Sequence, residues 1–312
     1  MKISIIGCGM VGSSIAYASI IKGLTDELVL VDMNTELAKG HAEDLSDGIP
    51  YIKQVKILGG DYNLTSNSDI IIITAGKAQK PDQSRLDLVK VNSEIMKSII
   101  NECLKYSSNP IIIVVSNPVD ILTYVAWKAS GLDKSRVFGT GTTLDTARLK
   151  FNLAEEFNIN AKSIHAYVIG EHGDSEIVNW STANIAGISL YEICEDCPFS
   201  NKRNLYFNKI YEKTRNKAYK IIKSKGSTYY GIGLSTSRLL EAIINNENSV
   251  LTVSSVHDEY FDMKDIPFSL PTIINKNGIK KVLNINLDNK EKNFLKKSLK
   301  IIESSINNLN DY

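Results

Sequence analysis

The sequence predicts an α/β fold: a doubly wound parallel sheet in the first part of the chain, followed by a C-terminal α+β part. Three observations predict it. Aliphatic runs of strand length, apolar at nearly every position, recur between stretches of helical spacing. Strands of that kind are buried on both faces and covered by helices on two sides. A glycine turn joins the first run to the first helical stretch, and after about residue 140 the pattern changes to helices among shorter, alternating strands. We therefore divide the chain into residues 1–141 and 142–312.

Taken in order, residues 2–6 are a short apolar strand, the glycines that follow make a turn, and 11–21 is the first helix. Residues 27–32 read as the second strand. The runs at 70–74 and 111–115 are continuous aliphatic strands, with a helix at 86–106 between them. Helical stretches at 144–157 and 204–223 follow, then strands at 250–256 and 279–285. An amphipathic helix at 290–309 is the last element. Internal repeats and low-complexity linkers are absent from the sequence, so the two parts are expected to be tightly joined.

Charge narrows the function classes. Lys plus Arg number 36 and Asp plus Glu 35, so there is no basic field for nucleic acid and no acidic tail. The hydrophobic fraction of 43% is that of a soluble globular protein. No apolar run approaches the ~20 residues of a spanning helix, and the first residues read as a strand rather than a secretion signal. A cytoplasmic enzyme is the expectation. The cysteines are Cys8, Cys103, Cys194 and Cys197. The last two form a C-x-x-C pair, but a zinc site needs about two more ligands and none stands nearby at ligand spacing. They read as two thiols in a polar surface segment, and no metal is expected.

Gly7-x-Gly9-x-x-Gly12 lies directly after the first strand and opens the first helix. Alone the pattern is weak and fits a turn that merely lets a helix pack on a strand. Asp32, 20 residues beyond Gly12 at the end of the second strand, strengthens it. A carboxylate there accepts hydrogen bonds from a ribose diol, while the glycines admit a pyrophosphate to the helix N-terminus. The arrangement is that of a Rossmann-type dinucleotide site. An acid at position 32 repels a 2′-phosphate, which favours NAD over NADP.

The sequence Ile169-Gly170-Glu171-His172-Gly173-Asp174 places one of four histidines between glycines in a polar turn. Such a histidine is hard to explain as core filling, and its side chain exchanges a proton near neutral pH. A hydride exchanged between NAD and a hydroxy compound needs such a group, together with a cation to hold the substrate. In Leu144-Asp145-Thr146-Ala147-Arg148 the acid and the arginine stand three apart, on one helix face. One can orient the histidine while the other offers a planar fork to a carboxylate. Spacing alone fits an ordinary surface ion pair equally well.

These motifs resemble the lactate/malate dehydrogenase family, and within it the L-lactate dehydrogenases, over essentially the whole chain. The stretch 169–175 resembles the family's active-site histidine motif, and 144–148 the helix carrying its aspartate and its carboxylate-binding arginine. Ser116-Asn117-Pro118-Val119-Asp120 resembles the strand end whose asparagine meets substrate and nicotinamide, and 75–88 resembles the mobile active-site loop with its following helix. The resemblance implies that His172 is the acid/base, Asp145 its partner, Arg148 the grip on the substrate carboxylate and Arg85 the group that polarises the carbonyl. It implies that Asn117 and Thr228 also meet the substrate. Gly7, Gly9, Met10, Val11, Gly12, Asp32, Ala75, Gly76, Asn117 and Ile232 would contact NAD.

Position 79 separates lactate from malate enzymes in this family, by glutamine against arginine. Neutral Gln79 offers no counter-charge to a second carboxylate, and burying one unpaired costs several kcal/mol. Pyruvate/lactate is therefore the expected substrate pair. Thr228, Tyr229 and Tyr230 resemble the lactate pattern, while Lys77 and Lys80 flank Gln79 as alternative cations. Asp82 departs from the family's usual glycine and bears on loop movement. Lys150 and His165 occupy positions that bind fructose 1,6-bisphosphate in bacterial relatives, which makes that effector a hypothesis equal in weight to a solvated lysine and a strand-start histidine. A homo-oligomer is implied, a tetramer or a dimer. The competing readings are a malate or branched-chain 2-hydroxy acid dehydrogenase, an NAD-dependent glycosidase, and a non-catalytic NAD-binding protein.

Overall fold

The computed structural model describes residues 1–77, 85–194 and 203–310, with the backbone alone for Arg85, Leu86, Arg203, Asn204 and Asn310. Six parallel strands make the first half: β1 (Lys2–Ile6), β2 (Glu27–Val31), β3 (Lys56–Gly60), β4 (Ile70–Ile73), β5 (Ile111–Val114) and β6 (Val137–Gly139). Between them run α1 (Met10–Ile21), α2 (Thr35–Asp47), α3 (Arg85–Leu104) and α4 (Val119–Ser130). The strand order across this half, β6-β5-β4-β1-β2-β3, is that of a doubly wound sheet.

The aliphatic runs form strands because both faces find cover. Ile3, Ile5, Ile70, Ile72, Ile111 and Ile113 lie in one buried cluster with Ile15 of α1. Their alternate neighbours Ile6, Ile71, Ile73, Ile112 and Val114 lie in the other, with Met96 and Ile100 of α3 and Leu122 of α4. Each such side chain contributes about 1.5–3 kcal/mol on burial. Ser4 is the polar exception, and its hydroxyl is hydrogen-bonded to that of Ser68 at 2.7 Å.

The second half comprises α5 (Thr143–Phe157), the short strands β7 (Ile164–His165), β8 (Val168–Ile169), β9 (Ile177–Val178), β10 (Asn184–Ile185) and β11 (Ile188–Ser189), and α6 (Leu190–Ile193). It continues with α7 (Arg203–Arg215), α8 (Lys217–Lys225), α9 (Tyr230–Ile244), β12 (Ser249–Tyr260), β13 (Met263–Asn275), β14 (Gly278–Val282) and α10 (Asn289–Asn310). The single helix expected at 204–223 is two helices, broken at Asn216.

The short strands expected at 250–256 and 279–285 do not stand apart. β12, β13 and β14 continue the first sheet antiparallel beyond β6, with Ser254 opposite Gly139, to make nine strands among the described residues. The sheet thus runs across residue 141. Helix α9 returns to the first half and lies against α1, so closely that a Cβ on Gly233 would stand 2.9 Å from the Ser14 carbonyl oxygen.

Candidate active site

The strand order reverses between β1 and β4, and in sheets of this kind ligands bind at the C-terminal edge of that switch point. Gly7 leaves β1 at φ +102°, and a Cβ there would stand 2.6 Å from the Ala75 backbone nitrogen at the end of β4. A Cβ at Gly12 would stand 1.9 Å from the Gly7 carbonyl oxygen, so α1 and the turn require glycine at both places. Gly9 caps α1 without a side chain and faces open space. The first-turn N–H groups of α1, including those of Met10 and Val11, are thereby left for an anion. Asp32 follows β2 and accepts the Cys8 N–H at 2.7 Å and the Asn34 N–H at 2.9 Å. A carboxylate and a bare helix N-terminus in one crevice fit the ribose and pyrophosphate of a dinucleotide.

The far wall comes from the ends of β4 and β5. The Ser116 hydroxyl donates to the Ala75 carbonyl at 2.6 Å. Buried Asn92 of α3 accepts the Lys77 N–H at 2.8 Å and donates to the carbonyls of Lys77 at 3.1 Å and Asn117 at 2.9 Å. Asn92 therefore fixes Gly76–Lys77 against Asn117, which precedes Pro118 in a cis peptide. Ile232, half-buried in the first turn of α9, packs on the core behind α1, and Thr228 lies just ahead of it.

The charged part of the site is centred on Asp145. This aspartate in the first turn of α5 is buried, and its two oxygens take different cations. Oδ2 lies 2.7 Å from His172 Nδ1, and Oδ1 accepts from Arg148 at 2.9 Å. The ion pair that spacing left open is thus one arm of a bridge that joins His172 to Arg148 through Asp145. Arg148 is only 11% exposed, and Asp145 is its protein partner among the described residues, so most of its five N–H donors are left for another anion. Hydroxyl groups hold α5 in place: Thr142 donates to the Val168 carbonyl at 2.6 Å, Thr143 to the Thr252 carbonyl at 2.8 Å, and Thr146 lies 2.9 Å from the Thr252 hydroxyl.

The histidine loop is tied on three sides. Gly170 exchanges two backbone hydrogen bonds of 3.0 Å with Ser269 of β13. The Glu171 N–H donates to Ser298 of α10 at 3.0 Å, and the His172 N–H donates to Asp120 of α4 at 2.7 Å. Burial pulls the His172 imidazole towards its neutral form, but the Asp145 carboxylate, with Asp120 and Glu176, outweighs it and raises the group to about 9. Burial acts against ionisation of Asp145 too, yet His172 and Arg148 hold it below the usual carboxylate range.

Three residues that shape the site escaped sequence reasoning. Asp120 was visible within the 116–120 motif, yet nothing there signals that it accepts both the His172 N–H and the Ser254 hydroxyl, the latter at 2.6 Å. Burial raises it to about 6 against those two bonds. Asn92 reads as an ordinary helix position. Nothing in the sequence singles out Glu176, which is 3% exposed.

Gln79, Lys80 and Asp82 lie outside the described residues, and Arg85 opens α3 with its side chain outside them. Lys150 is half-buried on α5 with its ammonium 5.6 Å from the Tyr167 ring centre, and burial lowers its pKa. His165 is exposed on β7, which packs on α5. The expected pair of surface thiols is corrected at Cys194. It is disulfide-bonded and fully buried beside Leu149, Leu153 and Phe207, because α6 turns it into the core of the second half. Cys197 lies outside the described residues.

A dinucleotide crevice beside an imidazole and a guanidinium that share one buried carboxylate defines an NAD-dependent dehydrogenase. The chain belongs to the lactate/malate dehydrogenase family: the family's NAD-binding domain model matches residues 1–139 and its alpha/beta C-terminal domain model residues 142–311. It is 55% identical over 311 residues to an L-lactate dehydrogenase of Kosmotoga olearia, covering 99% of this chain and 96% of that one. It is 46% identical to an L-lactate dehydrogenase of Acetivibrio thermocellus, covering 99% and 97%. Among solved structures, a lactate dehydrogenase from a deep-sea metagenome library superposes with a TM-score of 0.94 at 39% identity, covering 100% of this chain and 99% of that one. The minor L-lactate dehydrogenase of Enterococcus mundtii gives 0.93 at 40%, covering 98% and 97%. Among the described residues no helix is long and apolar enough to cross a membrane.

Proposed function

We propose that this chain is a cytoplasmic L-lactate dehydrogenase that interconverts pyruvate and (S)-lactate at the end of fermentative glycolysis. The observation that carries the reading is the double use of Asp145, which fixes a proton-exchanging imidazole beside a guanidinium with donors to spare. NAD, held by Gly7, Gly9, Met10, Val11, Gly12, Asp32, Ala75, Gly76, Asn117 and Ile232, supplies the hydride chemistry.

The chain's own residues do the rest. Arg148 takes the substrate carboxylate in a bidentate hydrogen bond. His172 carries a proton in the free enzyme at neutral pH, so it donates to the carbonyl oxygen of pyruvate. In the reverse direction the neutral ring takes the hydroxyl proton of lactate, and Asp145 balances the charge that forms. Arg85 and Asn117 act on the reacting oxygen, Thr228 lines the pocket, and neutral Gln79 selects for a substrate without a second carboxylate. Residues 1–141 act as the cofactor domain and 142–312 as the substrate domain.

Loss of absorbance at 340 nm with NADH and pyruvate tests the reaction, and faster loss with oxaloacetate would refute the substrate. Gln79→Arg is expected to shift the kcat/KM ratio towards oxaloacetate by roughly 10²-fold or more, the scale of one buried charge pair. Lys150 and His165 are proposed to bind fructose 1,6-bisphosphate across a subunit interface in a homo-oligomer, a tetramer or a dimer. The effector should then lower the pyruvate KM, and an unchanged KM at acidic and neutral pH would remove that site.

A further inference from the structure

Of the buried acids among the described residues, Glu176 is the one left with an unpartnered carboxylate oxygen. Glu176 follows the histidine loop, where its N–H donates to the Gly173 carbonyl at 3.2 Å. Its side chain is buried, and Oε1 has no hydrogen-bond partner. A carboxylate oxygen of Glu176, one of Asp145 and a ring nitrogen of His172 all lie within 4.8 Å of one another. An unpaired polar atom in such a place costs about 1–3 kcal/mol and needs a reason.

The surroundings supply one. From α5, Asp145 and Arg148 face Glu176; from its own loop His172 does, and from α7 Tyr211 and Arg215. Across the cavity that Glu176 lines stand Asp174, Glu212, Asp288, Lys290, Glu291 and Lys297. Arg215 is turned to Glu212 at 2.9 Å, and neither it nor Arg148 is hydrogen-bonded to Glu176 Oε1. Burial, and then the ionised Asp145, push the Glu176 carboxyl up to about 8. Both causes favour the neutral form, which makes the orphaned oxygen tolerable.

We infer that Glu176 is a positioning residue of the acid–base pair. It is a carboxyl that is neutral while the keto acid binds, and its ionisation sets a second negative charge against His172 and Arg148. That charge holds the proton on the imidazole and loosens the grip of Arg148 on the substrate anion. The inference rests on the lactate dehydrogenase reading and adds the group that closes the site at alkaline pH.

The test combines spectroscopy with kinetics. In the wild-type protein labelled with carbon-13 at the glutamate carboxyl, the Glu176 signal, assigned by its loss in Glu176→Gln, should titrate near pH 8. A midpoint in the ordinary carboxylate range of about 4 overturns the inference. In Glu176→Gln the nitrogen-15 titration of His172 should move down by about half a pH unit or more. The fall of log kcat/KM for pyruvate above pH 9 should drop from a slope approaching two to a slope of one. Wild-type and variant titrations that superimpose also overturn it. If Glu176→Gln does not fold, Glu176→Asp assigns the same wild-type signal, and the midpoint decides. Absence of pyruvate-dependent NADH oxidation in the wild type would instead sink the enzyme reading and leave these midpoints standing.

Discussion

The two walls of the active crevice are built by different means. On the cofactor side the work falls to the backbone: two glycines whose absent Cβ atoms let α1 seat itself over β1 and β4, and a helix N-terminus with nothing capping it. On the substrate side it falls to side chains from distant parts of the chain: buried Asp145 and Glu176 stand beside half-buried His172, Asp145 also binds Arg148, and buried Asp120 holds the His172 backbone. The first wall is local in sequence and relies chiefly on backbone N–H groups, whose partial charges do not titrate. The second is assembled only by the fold, and its charges depend on one another. Binding of the cofactor and turnover of the substrate should therefore fail separately.

The sharpest break is His172→Asn. It removes the proposed proton donor and leaves the Asp145 bridge to Arg148, so pyruvate reduction should fall by roughly 10³-fold or more while NADH still binds. Fluorescence titration of NADH against the variant checks the second half of that statement, and a matching loss of cofactor affinity would mean that the walls are coupled.

The next effect is pH dependence. With His172 titrating at about 9, its protonated form prevails below that value, so kcat/KM for pyruvate stays level until Glu176 begins to ionise near 8. It then falls, by about tenfold or more per unit above 9, as the imidazole loses its proton. For lactate oxidation the sign reverses: the neutral ring is the active form, and kcat/KM rises as pH climbs towards 9. Initial rates in both directions across pH 6 to 10 would show it. NADH affinity over the same window should hardly move.

The smallest effect belongs to Asp32→Ser. The carboxylate contributes hydrogen bonds to a ribose diol, each worth about 1.5–3 kcal/mol when charged, so NADH affinity should fall by roughly 10-fold or more with kcat little changed. A kcat that falls as far as the affinity would blur the contrast between the walls.

That contrast also governs what was legible in the sequence. Strand, glycines, helix and Asp32 follow one another within 32 residues, and the pattern points to its own structure. The substrate wall could be read only through family resemblance, because 27 residues separate Asp145 from His172 and the helix spacing of Asp145 and Arg148 fits a surface pair equally well. Glu176 gave no sign, since burial of an acid is decided by elements packed around it. In the fold, β13 escaped because Pro267 and Pro271 read as breakers, yet they sit in the ladder opposite Val256 and Thr252. β3 ends in Gly59 and Gly60 and so resembles a turn, while it is the edge strand beside β2. Asn216 gave no warning that 204–223 would be two helices.

The seam between the halves limits how ligands come and go. Because β12 pairs with β6 and α9 rests on α1, swinging one half away from the other would tear a sheet and unseat a helix from the cofactor's own floor. A clamshell motion about residue 141 is thus closed to this protein. Traffic through the crevice has to be managed at its rim, by segments that can shift without disturbing the walls.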